Sequence, residues 1–203
     1  MKFYDEKILP HLIDFACGMG QVMKTRAQIV PQASGRVLEI GIGTGLNLSF
    51  YDADKVRTIV GVDPAAQMQN LARQRAAAID IPVEMIALEL GQIQAADASF
   101  DSIVCTFTLC TIPDPLAALQ EMRRVLKPDG QFLFAEHGRA PDLRVRAWQD
   151  RLTPLWRPLA GGCHLNRDIP ALLKAGGFSL REVHSRYLQG PRPLTWVWYG
   201  WAE

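Results

Sequence analysis

Three glycines at alternate positions follow a short apolar run near residue 40. Residues 37–40 lead into Gly41, Gly43 and Gly45. Glycine has no Cβ, so its backbone can pass close to a ligand and adopt dihedral angles that other residues avoid. A strand that ends in such a loop is typical of proteins that bind NAD, FAD or S-adenosylmethionine. The loop therefore predicts a nucleotide cofactor but does not distinguish among NAD, FAD and S-adenosylmethionine.

The spacing of the glycines separates these cofactors. Dinucleotide sites use G-x-G-x-x-G, whose third glycine allows close packing near a pyrophosphate. Here Leu46 stands at that place, and the glycines read G-x-G-x-G. S-adenosylmethionine has no pyrophosphate and fits this pattern better. Glu39 also favours that ligand, because its carboxylate would attract an ammonium group and a sulfonium centre.

A carboxylate ends the second predicted strand. Asp63, followed by Pro64, comes about 20 residues after the glycines, the separation at which such a group meets the ribose hydroxyls. The alternative interpretation is that Asp63 caps the helix that Pro64 begins, and the two roles are compatible. We therefore predict Asp63 as the ribose ligand.

Two histidines are candidates for a catalytic base. His137 follows the fifth predicted strand at the carboxyl edge of the sheet, and its ordinary pKa suits proton transfer near pH 7. The alternative is a structural histidine packed beside Glu136. His164 lies next to a glycine pair, where an ordinary loop histidine is the competing interpretation.

The four cysteines show no C-x-x-C pairing and predict neither a metal site nor a disulfide framework. We expect reduced thiols. Cys110 and Cys163 in particular are expected to be small buried residues, because methyl transfer from a sulfonium needs no covalent enzyme intermediate.

The elements that position these residues alternate between strands and helices from residue 36 onward. This pattern predicts an α/β fold: a Rossmann-like, mostly parallel sheet with helices on both faces and a final antiparallel strand. Helices are expected over 46–50, over 64–79, from Asp114-Pro115 through Leu126, and over 171–178. The seven strands are expected at 36–40, 58–63, 83–87, 102–106, 131–136, 180–184 and 195–201.

A length of 203 residues suits one α/β domain. We divide it into N-terminal lid helices (1–35), a cofactor-binding core (36–138), an inserted cap (139–170) and a C-terminal helix with a strand pair (171–203). Residues 139–167 hold six arginines and two aspartates, and Pro154 and Pro158 are expected to interrupt the cap. These arginines could attract an anionic acceptor or a phospholipid surface, although such a set is more often a solvated helix face.

The composition is that of an ordinary soluble protein, with a formal net charge of +1. This balance argues against a nucleic-acid partner. No apolar run reaches the length of a signal peptide or a membrane span, so we expect a cytoplasmic protein with at most peripheral membrane contact. A monomer and a homodimer are both compatible with the sequence.

Several motifs in the right order resemble the class I S-adenosylmethionine-dependent methyltransferases, near the group that methylates ubiquinone precursors and phospholipids. They are Glu39-x-Gly-x-Gly-x-Gly, Val62-Asp63-Pro64, the segment 98–104 and the segment 123–130. In such enzymes an acid and its neighbour, here Glu89 and Leu90, lie against the adenine, and Tyr4 resembles a lid residue. The resemblance assigns cofactor contacts to Tyr4, Glu39, Gly41, Gly43, Thr44, Gly45, Asn47, Asp63, Pro64, Met68, Glu89, Leu90 and Thr106.

A narrower resemblance covers segments 3–5, 108–113, 136–138 and 161–165. They look like bacterial relatives of the mammalian alkyl thiol methyltransferases, whose N-terminal membrane anchor we do not find in this sequence. This implies methyl transfer from S-adenosylmethionine to a small, lipophilic thiol, with S-adenosylhomocysteine as the product. A quinone precursor or a phospholipid amine is the alternative acceptor. A catalytically inactive cofactor-binding protein and an NAD-dependent oxidoreductase are the other interpretations.

Overall fold

The computed structural model describes residues 8–64, 69–86, 88, 89 and 91–203. One sheet contains seven strands: β1 (Gly35–Ile40), β2 (Val56–Val62), β3 (Val83–Ile86), β6 (Phe100–Thr106), β7 (Leu126–His137), β8 (Leu180–Tyr187) and β9 (Trp196–Ala202). Their spatial order is β3-β2-β1-β6-β7-β9-β8. The strand β9 runs antiparallel to both of its neighbours, while β3, β2, β1, β6 and β7 are parallel.

The predicted fold class and its seven strands are confirmed, including the final antiparallel strand. A further hairpin, in which β4 (Leu88–Glu89) pairs with β5 (Gln92–Ile93), was not predicted, since each strand has only two residues. The helices are α1 (Leu9–Cys17), α2 (Gly20–Ile29), α3 (Gln69–Ala76), α4 (Pro115–Val125), α5 (Leu143–Trp156) and α6 (Ile169–Ala175).

Alternate side chains of the central strands enter two apolar layers. Leu38 of β1 packs in a layer with Leu119 of α4 and Leu173 of α6, whereas Val37 packs on the opposite face with Ile29 of α2. Successive side chains of a strand point to opposite faces, so the nearly uninterrupted apolar run of β1 serves both layers. Among the described residues, no helix combines the length and apolar composition needed to cross a membrane.

An aspartate caps the start of two helices: Asp114 precedes α4 and Asp168 precedes α6. The side chain of Asp114 accepts a hydrogen bond from the N–H of Ala117 at 3.0 Å, and Asp168 accepts one from Ala171 at 3.1 Å. Each carboxylate satisfies an N–H that the first helical turn leaves without a partner. These caps fix the starts of α4 and α6, so the latter begins before the predicted residue 171.

Three local expectations were wrong. The helix expected over residues 46–50 is a 3-10 turn at Leu48–Phe50. Hydrogen bonds between residues three apart, such as Leu48 N–H to Gly45 O, wind the chain more tightly than an α-helix. Leu126 begins β7 and is not part of the α4 face. Pro154 lies inside α5, which continues to Trp156, although proline supplies no backbone N–H to the helix.

Candidate cofactor and acceptor site

A cavity of about 920 Å³ lies beyond the carboxyl ends of β1, β2 and β6. This is the edge of an open α/β sheet at which ligands bind. The predicted cofactor residues that line it are Gly41, Gly43, Thr44, Asp63, Pro64 and Thr106. These six residues therefore share one cavity, and their contact with a cofactor stays a prediction.

The glycine loop adopts a conformation that excludes larger residues. Gly41 has φ +68°, and a Cβ built on it would lie 2.2 Å from Thr108 Oγ1. Gly43 has φ +55°, and its N–H donates a hydrogen bond to Asp63 Oδ2 at 2.8 Å. The loop after β1 and the acid after β2 are thus joined in one wall of the cavity. Whether Asp63 also caps a helix is not described, since the following residues, 65–68, lie outside the described residues.

A buried polar network supports this wall from behind. Glu39 accepts hydrogen bonds from Tyr51 Oη at 2.8 Å and Asn47 Nδ2 at 3.0 Å, and Asn47 Nδ2 also donates to Thr106 Oγ1 at 2.9 Å. Burial raises the pKa of Glu39 to about 7, against the opposing effect of these bonds. Glu39 and Asn47 do not appear among the described residues that line the cavity. In this structure both residues order the loop.

Arg26 of α2 reaches the cavity from the opposite side of this network. Its Nη1 donates to Asn47 Oδ1 at 2.7 Å and to Thr106 Oγ1 at 2.5 Å, and its guanidinium lies 5.1 Å from the centre of the Phe107 ring. Arg26 is 5% exposed, and its Nε has no hydrogen-bond partner among the described residues. Burial lowers the pKa of Arg26. A buried cation on a cavity wall can bind an anionic group of a ligand.

Helix α1 covers one side of the cavity. Leu9, Ile13 and Cys17 line it, and Asp14 fixes the helix to two other elements. Asp14 Oδ1 accepts a hydrogen bond from Thr44 Oγ1 at 2.5 Å and forms an ion pair with Arg75 Nη1 at 2.9 Å. The hydrogen bond with Arg75 is the main cause of the lowered pKa of Asp14. Helix α1 thus forms one wall of the cavity, and its role as a lid stays a prediction.

The loop after β6 is organised by a buried carboxylate. Glu136 accepts hydrogen bonds from the N–H groups of Thr108 at 2.9 Å, Leu109 at 2.8 Å and Cys110 at 3.1 Å. Burial raises the pKa of Glu136 to about 7, because its cost to the charged form exceeds the effect of these donors. Arg167 holds the same loop by donating to Leu109 O.

The two predicted catalytic histidines lie beside this loop. His137 Nδ1 is 3.6 Å from Cys163 Sγ, and its ring packs edge-on to Phe107 with centroids 6.2 Å apart. His164 Nδ1 is 3.2 Å from Cys110 O. Burial is the main cause that lowers the pKa of His164. Neither histidine is among the described residues that line the cavity, so their catalytic role stays a prediction.

Cys110 and Cys163 are buried, as expected. A hydrogen bond between the two thiols raises the pKa of Cys110 and lowers that of Cys163, and His137 lowers the latter further. The described residues contain no cluster of three or more histidine, cysteine or carboxylate side chains able to hold a metal ion.

Several predicted cofactor contacts cannot be placed. Tyr4, Met68 and Leu90 lie outside the described residues, and of Glu89 only the backbone in β4 is described. Gly45 is described but does not line the cavity, whereas the next residue, Leu46, does. The φ of Gly45, +82°, lies in the left-handed region that favours glycine.

Sequence reasoning missed Arg26, Asp14 and Phe107. Arg26 and Asp14 belong to helices before the glycine loop and bind residues 80 and 61 positions away, respectively. A motif search within one segment does not detect such pairs. Phe107, with φ +52°, gives no local signal because its strain arises from the fold.

The sheet order and the position of the cavity define a Rossmann-like fold of the kind used by cofactor-dependent transferases. The crystal structure of an S-adenosylmethionine-dependent methyltransferase from Aquifex aeolicus has this fold, with a TM-score of 0.68 at 18% identity, over 97% of this chain and 98% of that chain. Residues 38–134 also match a family model described as a methyltransferase domain.

Two mammalian relatives extend the match. The rat protein named thiol S-methyltransferase TMT1B is 35% identical over 164 residues, covering 79% of this chain and 65% of the relative. The human protein of the same name is 34% identical over 170 residues, covering 81% of this chain and 68% of the relative. The chain thus spans about two thirds of the length of these relatives. It belongs to the class I S-adenosylmethionine-dependent methyltransferases.

Proposed function

We propose that this protein binds S-adenosylmethionine in the cavity and transfers its methyl group to a small, apolar thiol. The observation that carries the proposal is the hydrogen bond between Gly43 N–H and Asp63 Oδ2, 2.8 Å long, at the carboxyl edge of the sheet. This bond holds the glycine loop, whose backbone a ligand can approach closely, next to the Asp63 carboxylate on one wall of the cavity. Family membership supports the same cofactor.

The residues on the cavity wall fit the chemical groups of this cofactor. Asp63 offers a carboxylate to the ribose hydroxyls, and Gly41 lets the backbone approach closely. Arg26 offers a buried positive charge to the carboxylate of the methionine part. Ile93 and Met122 add apolar surface to the same cavity. The ribose hydroxyls, the carboxylate and the apolar parts of the cofactor therefore have partners of matching chemistry.

When bound, the cofactor supplies a methyl group on a positively charged sulfur. The protein's own residues must then align an acceptor and remove its proton. Alignment of two reactants in a closed site can lower the barrier by about 7–11 kcal/mol. A cysteine thiol has a pKa of about 8.5, and a simple alkyl thiol is less acidic, so a nearby positive charge or a base is needed to supply the thiolate.

The two histidines beside the loop after β6 are the candidate bases, although neither is among the described residues that line the cavity. Arg26, assigned to the cofactor carboxylate, supplies no separate charge to the acceptor. His164 stays neutral near pH 7, since its pKa is lowered, and a neutral imidazole can accept a proton. His137, next to Cys163, is the alternative base.

Three observations support a thiol acceptor. The described cavity walls offer mainly apolar side chains near α1, including Leu9, Ile13 and Ile112, which suit a lipophilic acceptor. A thiol needs less base assistance than a ring carbon or a hydroxyl. The mammalian relatives carry the name thiol S-methyltransferase, which supports the same choice.

Two experiments test the proposal in sequence. Thermal unfolding with S-adenosylhomocysteine or NAD tests the cofactor: we expect a rise in Tm with the first ligand only, and a rise with NAD alone would overturn the assignment. Labelled S-adenosylmethionine is then offered with alkyl thiols, phenols and phosphatidylethanolamine. We expect label on the thiols. Label only on another acceptor rejects the thiol, and cofactor binding without any turnover identifies a catalytically inactive binding protein.

A further inference from the structure

Helix α1 is apolar on both of its faces. Its inner face, with Leu9, Ile13 and Cys17, lines the cavity. Its outer face carries a stripe of exposed apolar residues that extends one residue before the helix and two beyond it. These residues follow one another at intervals of four, three and four, and they are Ile8 (40% exposed), Leu12 (49%), Phe15 (75%) and Met19 (50%). The polar residues His11 and Asp14 separate these two faces. An apolar helix face is normally covered, whereas no described residue buries the outer stripe of α1.

Helix α5 and the residues after it expose a second apolar set. The inner face of α5 buries Val145, Gln149 and Thr153. Its outer face, continued beyond the helix end, exposes Leu143, Trp148, Leu155 and Leu159. Exposed Arg144, Arg151 and Arg157 lie among them, and the Arg151 guanidinium is 5.7 Å from the Trp148 ring centre.

The two sets approach each other at the cavity, where the segment after α5 meets α1. Gly161, two residues after Leu159, lines the cavity, and a Cβ built on it would lie 3.1 Å from Ile13 Cδ1 of α1. Among the described residues, the large apolar side chains that are exposed fall in these two sets with the single exception of Leu116. We name the eight residues Ile8, Leu12, Phe15, Met19, Leu143, Trp148, Leu155 and Leu159 the apolar collar.

The charges on the collar are unbalanced. The two aspartates near α5 are engaged by neighbours: Asp142 accepts a hydrogen bond from Tyr187 Oη at 2.5 Å and pairs with Arg192, and Asp150 accepts one from Asn166 Nδ2 at 2.7 Å. Arg144, Arg151 and Arg157 form no ion pair among those that the described residues show. The exposed face therefore combines apolar side chains with positive charge.

We propose that the apolar collar docks on the surface of an anionic phospholipid bilayer. Leucine and tryptophan beside arginine suit the boundary between headgroups and acyl chains, and the arginines attract anionic lipids. A second copy of this chain is a poorer occupant, because a two-fold contact would bring the arginines of one α5 against those of the other.

Docking places the cavity rim at the bilayer. An acceptor dissolved in the lipid then has a direct route to the cavity, and this last step alone rests on the proposed function.

Vesicle co-sedimentation of the full chain tests docking without any measurement of activity. We expect binding to vesicles of phosphatidylcholine with 30% phosphatidylglycerol and at least tenfold weaker binding to phosphatidylcholine alone. Higher salt should weaken the binding. Trp148 fluorescence should shift to the blue with anionic vesicles, and a Trp148→Phe variant should lose that shift.

Variants separate the apolar and charged contributions. Phe15→Ser combined with Leu155→Ser should reduce binding to anionic vesicles at least tenfold, whereas Leu116→Ser, a matched change outside the collar, should leave it unchanged. Arg151→Gln with Arg157→Gln should reduce binding about tenfold or more, since each surface arginine contributes roughly fivefold. Circular dichroism of each variant checks folding.

Three results would overturn the proposal. The first is no binding of the parent chain to anionic vesicles. The second is vesicle binding that folded collar variants retain. The third is a chain that does not bind vesicles but dimerises in a concentration-dependent way in sedimentation velocity. If the Phe15→Ser and Leu155→Ser changes abolish that dimerisation, the collar is a protein interface.

Discussion

Arg75 Nη1 lies 2.9 Å from Asp14 Oδ1, so an ion pair joins helix α3 to helix α1 across the edge of the cavity. Arg75 Nη1 also donates to Thr44 O at 2.7 Å. One guanidinium thus connects the lid helix to the glycine loop. Both side chains of the pair are partly exposed, at 36% and 27% of their surface, so water screens their attraction.

Replacing Asp14 with Asn should weaken ligand binding more than folding. We expect the free energy of unfolding to fall by less than about 1 kcal/mol, the usual range for an exposed pair. The dissociation constant for S-adenosylhomocysteine should rise severalfold, because α1 would be held less firmly over the cavity. Titration calorimetry and urea unfolding measure the two quantities. Arg57→Gln breaks another exposed pair, with Asp101, and should change neither ligand affinity nor lid position; an equal loss of affinity in both variants contradicts the lid role.

Asp63→Asn tests the predicted ribose ligand. The Asn side chain can still accept the hydrogen bond from Gly43 N–H, so the loop and the stability of the fold should change little. A hydrogen bond from a ligand hydroxyl to a charged carboxylate is worth about 1.5–3 kcal/mol, and its loss should weaken S-adenosylhomocysteine binding by roughly 10- to 100-fold. Asp54→Asn, in an exposed turn, is the control. Unchanged affinity in Asp63→Asn would remove Asp63 from the site.

The parts of this site that sequence reasoning found are those whose signal is local. Gly43 and Asp63 follow the ends of two adjacent parallel strands, so the alternation of elements brings them to one edge of the sheet. The loop and the acid were therefore predictable without any tertiary information. The strand count followed from the same alternation.

The parts that it missed depend on how distant segments pack. Arg26 is an ordinary arginine in α2 until the fold buries it against Asn47 and Thr106. Glu136 was considered only as a neighbour of His137, whereas three backbone N–H groups of another loop converge on it. Burial and hydrogen-bond partners of this kind are properties of the tertiary structure.

Phe107 should reverse the usual order of stability between alanine and glycine. It is a non-glycine residue with φ +52°, a conformation that disfavours a Cβ by about 1–2 kcal/mol. Phe107→Ala and Phe107→Gly both remove the ring, but only glycine also relieves the strain. We expect the glycine variant to be more stable than the alanine variant by about 1 kcal/mol in urea unfolding.

Phe50 supplies the matched comparison. It ends a 3-10 turn and is not among the positive-φ residues of the described chain, so Phe50→Ala should be more stable than Phe50→Gly. The same order at both positions would show that the backbone at residue 107 carries no strain.

Glu39 should make stability depend on pH in a direction opposite to that of an ordinary surface acid. Its pKa in the folded protein is about 7, above the ordinary value of 4.5, because burial disfavours the charged form. Between these two values the folded state holds a proton that the unfolded state has released. The contribution of Glu39 to stability is therefore complete below pH 4.5 and is lost as the pH rises through 7.

Glu39→Gln isolates this effect, since glutamine resembles the protonated acid and does not titrate. The difference in unfolding free energy between the variant and the parent chain should shift in favour of the variant between pH 5 and pH 8, on the order of 1–3 kcal/mol. Urea unfolding at several pH values measures it, and taking the difference cancels other titrating groups such as Glu136, whose pKa is raised in the same direction. A difference that does not vary with pH would mean that Glu39 stays charged when buried, held by Arg26 and its hydrogen-bond donors.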